Sequence, residues 1–134
     1  MSIDPRLHHY AQKITKGSLD TVLEMYEELD CNIKYRPDNK FCWAMVGQDG
    51  LHFIIQVVEY DEEPISDVSI KRGSHVVFLS DDPQDLVNKV KDWADRKGIK
   101  FIQGGWSKKE LYFDLSDIFV NFVVEVMHTS IEDE

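Results

Sequence analysis

The chain has 134 residues, 43% of them hydrophobic, and a formal net charge of -10 from 25 acidic and 15 basic side chains. That length suits one domain able to bury about two-thirds of its unfolded surface, and the hydrophobic content excludes intrinsic disorder. A negative field without a local basic stripe excludes nucleic acid as a partner, and no apolar run reaches the roughly 18–20 residues of a membrane span.

The opening MSIDPRLHHY lacks a basic-then-apolar leader, and Cys31 and Cys42 lack CxxC spacing. Together these predict a cytoplasmic protein with two reduced thiols. A first strand is expected over Leu7 to Ile14. Gly17-Ser18 then breaks the pattern, with Ser18 placed as a helix N-cap. Leu19, Val22, Leu23, Tyr26 and Leu29 follow at the spacing of an amphipathic helix. Ile33 to Arg36 and Phe41 to Val46 are the next strands, joined by a predicted hairpin turn at Pro37-Asp38-Asn39. Gly47-Gln48-Asp49-Gly50 leads into a strand from Leu51 to Tyr60.

An acidic linker with a proline occupies 61–72, after which the order begins again. His75 to Leu79 is a strand, and Asp82-Pro83 caps and starts a helix whose stripe is Leu86, Val87, Val90, Trp93 and Ala94 and whose end is Gly98. Ile99 to Gln103, Glu110 to Asp114 and Phe119 to His128 are three further strands, separated by expected turns at Gly104-Gly105 and Ser116-Asp117. The single domain, 1–134, thus reads as module one over about 7–60, module two over about 73–128 and a short acidic tail at 129–134.

Two repeats of strand, helix and three strands predict an α+β fold, each sheet with one face on a helix and the other curled into a concavity. Alternation along each strand assigns the faces. Val76 and Phe78 suit the helix side, leaving His75, Val77 and Leu79 on the concave side. Phe122, Val124 and Val126 place Asn121, Val123, Glu125 and Met127 in the cup. His9 lies 66 residues before His75, and Gln56 lies 69 before Glu125. Each module therefore offers a histidine on its first strand and a carboxylate or amide on its last. His8 competes with His9 after a one-residue slip, and His52 shares the cup face with Gln56. His128 has helix-side parity and reads as a solvated terminal residue. Trp93 belongs to the core, whereas Trp43, Trp106 and Lys13 are candidates to line the groove.

The segments GSHVVFLSDDPQDLVNKVKDWADRKGIKF and HHYAQKITKGSLDTVLEMYEEL resemble the vicinal oxygen chelate superfamily, which includes glyoxalase I, extradiol dioxygenases, fosfomycin-resistance transferases and bleomycin-resistance proteins. The resemblance implies two βαβββ modules forming a cupped, barrel-like mixed sheet with helices on the outside. It places His9, Gln56, His75 and Glu125 at the family's metal positions, a set closest to glyoxalase I. Nickel, cobalt, zinc, manganese or iron suits two imidazoles and two oxygens. The activity implied is that of a metal-dependent lyase or isomerase acting on a small oxygen-chelating substrate, with Glu125 moving the proton. The alternative is a metal-free ligand-sequestering protein similar to the bleomycin-resistance proteins, hence antibiotic resistance, or a non-catalytic relative. A homodimer is implied by the resemblance alone. The chain departs from the family pattern at Leu29-Asp30, where Leu-Gly is usual, and at Asp114-Leu115-Ser116-Asp117, where an Asp-Pro-x-Gly turn is common. Of the basic residues that could hold an anionic substrate, only Lys13 and Arg36 stand out.

Overall fold

The structure is a computed structural model that describes residues 4–38 and 42–133. Module one contains β1 (His9–Thr15), α1 (Leu19–Glu28), β2 (Asn32–Tyr35), β3 (Trp43–Gly47) and β4 (Ile54–Tyr60). A one-turn helix, α2 (Val68–Lys71), interrupts the linker. Module two contains β5 (His75–Ser80), α3 (Pro83–Lys97), β6 (Ile102–Ser107), β7 (Glu110–Asp114) and β8 (Val123–His128), followed by a 3-10 turn over Thr129–Asp133. Asn39 of the expected hairpin turn and Phe41 of the expected third strand lie outside the described residues.

The sheets have the orders β1-β4-β3-β2 and β5-β8-β7-β6, so the two modules share one topology. In each, the first and last strands pair in parallel and the remaining pairs are antiparallel. The sheets are cupped and not closed into a barrel. Registers agree as well as topologies. His9 lies opposite Ile54 and Ala11 opposite Gln56, while His75 lies opposite Val123 and Val77 opposite Glu125. Gln56 and Glu125 are therefore equivalent positions, each reached by moving two residues along from the histidine.

The helix-side parity holds. Gln12 and Ile14 of β1, Ile55 and Val57 of β4, and Val124 and Val126 of β8 are buried, and Val76 and Phe78 pack on the core. The α1 stripe of Leu19, Val22, Leu23 and Tyr26 is buried against the first sheet, and Val87, Val90, Trp93 and Ala94 of α3 against the second. One core cluster runs through both modules. Between β1 and α1 a polar chain is fully satisfied: Tyr26 donates its hydroxyl to Gln12 Oε1, and Gln12 Nε2 donates to Tyr10 Oη at 2.8 Å. Burial pushes the Tyr10 phenol up to about 12, so it stays neutral and available.

Local sequence explains most helix ends. Asp82 accepts the Asp85 N–H at 3.1 Å, Pro83 occupies the first turn, and Gly98 closes α3 with φ 69°. Ser18 precedes α1 as expected but does not cap it. Its hydroxyl donates to the Thr15 carbonyl at 2.6 Å, and the exposed Leu19 N–H is taken at 2.9 Å by Glu59 of β4. A carboxylate across the sheet complements the positive end of the helix dipole and replaces the local cap. Asp30, standing where the resemblance expects glycine, adopts the left-handed φ of 61°, a conformation that aspartate tolerates better than most side chains.

Two elements differ from expectation. The last strand begins at Val123, not Phe119, because 118–120 turns away to the first module: Thr15 N–H donates to Ile118 O at 2.9 Å and Val120 N–H to Lys13 O at 3.0 Å. Leu115, Phe119 and Phe122 are buried in that crossing, and an unbroken apolar run conceals the change of direction. Gly104-Gly105, expected as a turn, lies inside β6, and the turn falls at Lys108-Lys109. Glycine is needed there for contact: the Tyr112 ring of the paired strand fills the space that a Cβ on Gly104 would occupy.

Candidate active site

The second module brings two of the four expected ligands together. His75, at the first residue of β5, and Glu125, on β8, face the concave side, with Nε2 and Oε1 3.1 Å apart. On its other side the imidazole Nδ1 lies 2.8 Å from the carbonyl oxygen of Arg72. A carbonyl only accepts, so Nδ1 carries the proton and the Nε2 lone pair points at the carboxylate in the neutral ring. Two acceptors at this distance require a proton or a cation between them. This is the tautomer and orientation that a metal-ligating histidine needs, with a backbone carbonyl as its outer partner.

The residues around the pair come from three elements. An open cavity of about 440 Å³ is lined by Ser69, Arg72, Gly73, His75, Trp106, Glu110 and Glu125. The Trp106 ring stands 5.5 Å from His75 and 5.2 Å from Tyr112, in the wall that the small residues of β6 make room for. The α2 turn supplies Arg72 and is anchored from beneath. Lys71 is completely buried and its Nζ lies 2.8 Å from Asp114 Oδ1 of β7, with no further hydrogen-bonding partner for either atom among the described residues. This buried ion pair fixes the end of α2, and through the Arg72 carbonyl it fixes His75.

Glu125 is only 5% exposed. Burial raises its carboxyl above the ordinary 4.5; His75 pulls it back, and Glu110 raises it again. A carboxyl whose folded pKa is raised stabilises the fold below its unfolded value, and that contribution is lost as pH rises through the folded value. Glu125→Gln is therefore expected to gain stability on the metal-free wild type as pH rises from below 4.5 towards neutrality, and to match it in acid. Urea midpoints across this range read the difference directly.

The other expected site residues lie elsewhere. His9 is exposed at the start of β1, with its Nδ1 2.8 Å from that of His8. Gln56 is half-buried on β4, beside Ala11 and Met45. Among the described residues, no three His, Cys, Asp or Glu side chains of one chain form a group that could hold a metal ion. Lys13 is ion-paired with Glu62 at 3.0 Å and lies over the Tyr60 ring, and Arg36 is paired with Asp20 at 2.7 Å. Trp43 packs on Tyr35, Trp93 is in the core, and His52 is exposed ahead of β4. His128, expected to be solvated, is half-buried and accepts the Ser130 N–H at 3.0 Å. Cys31 is buried and Cys42 exposed, both as free thiols. Arg72 and Glu110 were not singled out from sequence. The Arg72-Gly73-Ser74-His75 run was the available signal, but only the fold puts Trp106 beside it.

Paired modules of strand, helix and three strands, with matching sheet orders, are the fold that the resemblance in sequence implies. Solved structures agree. The fosfomycin resistance protein FosX from Listeria monocytogenes, complexed with Mn(II) and 1S,2S-dihydroxypropylphosphonic acid, has a TM-score of 0.54 at 15% identity, covering 96% of each chain. The antibiotic binding protein TnmS3 from Streptomyces sp. CB03234 has a TM-score of 0.57 at 11% identity, covering 96% of this chain and 98% of that one. Lactoylglutathione lyase from Agrobacterium tumefaciens has a TM-score of 0.53 at 14% identity, covering 95% and 96%. No family model and no curated protein matches the sequence. The likeness is one of fold.

Proposed function

We propose that the protein is a metal-dependent lyase or isomerase of the glyoxalase type, acting on a small ligand with neighbouring oxygens. The observation that carries this reading is the His75 ring, fixed through Nδ1 on the Arg72 carbonyl and aimed through Nε2 at Glu125 in an open cavity. A nitrogen and a carboxylate oxygen fit nickel, cobalt, zinc, manganese or iron as half of a ligand set. His9 and Gln56 of a second copy supply the other half, because they hold the equivalent register in module one. The concave row left open in one chain, with Val77 38% and Leu79 42% exposed, favours such a homodimer.

When bound, the ion supplies Lewis-acid polarisation of the ligand's oxygens. The chain supplies the rest. Glu125, on the cavity wall beside His75, takes and returns the proton through its carboxylate. Arg72 O holds the His75 ring, and the Trp106 ring stands against it at 5.5 Å. Free Cys31 and Cys42 fit a reducing, cytoplasmic setting.

Purification without chelator and elemental analysis test the reading. About one divalent ion per chain is expected, together with a rise in melting temperature on adding metal. Absence of both, across all five metals, removes it. The exposed Trp106 and the charge of -10 favour a second reading, a metal-free protein that sequesters a cationic aromatic compound. That reading predicts tryptophan quenching by such compounds without any metal effect.

A further inference from the structure

The cavity beside His75 holds a cation that the His75–Glu125 pair does not use. Lys13, Lys34, Arg36 and Lys97 all make ion pairs, but among the described residues Arg72 makes none. The acid nearest to it in sequence, Asp67, is committed to the N–H and hydroxyl of Ser69 at 3.0 and 2.6 Å. The Arg72 guanidinium instead lies over the Trp106 ring, 5.5 Å from its centroid. An indole holds a guanidinium by its face and leaves the N–H edge free for two parallel hydrogen bonds to an oxyanion. The carbonyl of the same residue accepts the hydrogen bond from His75 Nδ1, and the buried Lys71 pins the turn beneath it. Arg72 is thus held at a fixed reach from the His75–Glu125 pair.

Charge narrows the choice of ligand group. Glu110 and Glu125 line the same cavity, so an anion is tolerated only where a cation faces it. Arg72 is the one permanently charged cation in that lining. We infer that Arg72, stacked on Trp106, is the oxyanion anchor of this site. The ligand is a small anion whose carboxylate or phosph(on)ate end meets Arg72, while a neighbouring oxygen meets the His75–Glu125 pair. The position of the second oxygen rests on the functional reading above, whereas the anchor is testable without it.

Titrating metal-free protein with methylphosphonate, acetate and the neutral acetamide, while following the Trp106 indole N–H resonance, tests the anchor. At least one anion is expected to shift that resonance saturably, and the tighter of the two identifies phosph(on)ate or carboxylate as the preferred end. Acetamide shifts nothing. Arg72→Gln weakens the anion by about tenfold or more, as loss of a charged hydrogen-bond donor predicts. Arg72→Lys falls between, since it keeps the charge and loses the fork. No anion-dependent shift in the wild type, or equal affinity in a folded Arg72→Gln, overturns the inference. Metal-dependent melting of the same proteins without anion reports on the functional reading separately: if it is absent while anion binding persists, that reading fails and the anchor stands.

Discussion

Replacing Lys71 by Met is expected to destabilise the chain by about 3–5 kcal/mol, because it leaves Asp114 buried without its counter-charge. Lys71 is 1% exposed and Asp114 2%. Burial already raises the Asp114 carboxyl above its ordinary 3.8, with Lys71 opposing the rise. Without the ammonium the raised value climbs further. The deficit then grows as pH rises from the acid range, where the carboxyl is protonated in both states, towards neutrality, where only the unfolded state ionises freely. Pairing Lys71→Met with Asp114→Leu removes both charges and is expected to recover most of the loss. Urea unfolding of the three proteins at neutral and acid pH measures these differences. If Lys71→Met unfolds at the wild-type midpoint, the pair is not what holds α2 to β7.

Loss of either histidine is expected to weaken divalent-metal binding by more than roughly 100-fold, beyond what removal of an outer-shell partner costs. For His75→Ala this follows from the cavity itself, since Nε2 is one of the two donors there. For His9→Ala it follows only if the site is completed by a second copy, because His9 does not line the His75 cavity. His8→Ala is expected to cost less than His9→Ala, at most the roughly 10–100-fold of losing an outer partner, since His8 precedes β1 and meets the site only through its contact with His9 Nδ1.

Much of the fold was legible because alternation and helix stripes are local. The rows Val76 and Phe78, and Val124 and Val126, could be assigned to faces from period alone, and the spacing of His9 to His75 and of Gln56 to Glu125 became one shared register. What escaped depended on distant partners. Ser18 was read as a cap, but the cap comes from Glu59 on another strand. The glycines of β6 looked like a turn because their reason for being small, the Tyr112 ring, is on the next strand. Arg72 carries no signal of its own in the sequence, because its setting depends on Trp106, a strand and a helix away. His75 and Glu125 meet within one module, where period and register bring them together, whereas His9 and Gln56 hold the equivalent places in the other module and do not meet them within the chain.

Mixing His9→Ala with His75→Ala tests the shared site most directly. Each variant alone breaks both sites of a homodimer. In a mixed dimer, one site combines both lesions, while the other takes module one from the His75→Ala chain and module two from the His9→Ala chain and is intact. The composite site predicts that metal binding reappears on mixing and subunit exchange, with one intact site per mixed dimer. If two metal-free variants stay metal-free after verified exchange, the site is not shared between copies.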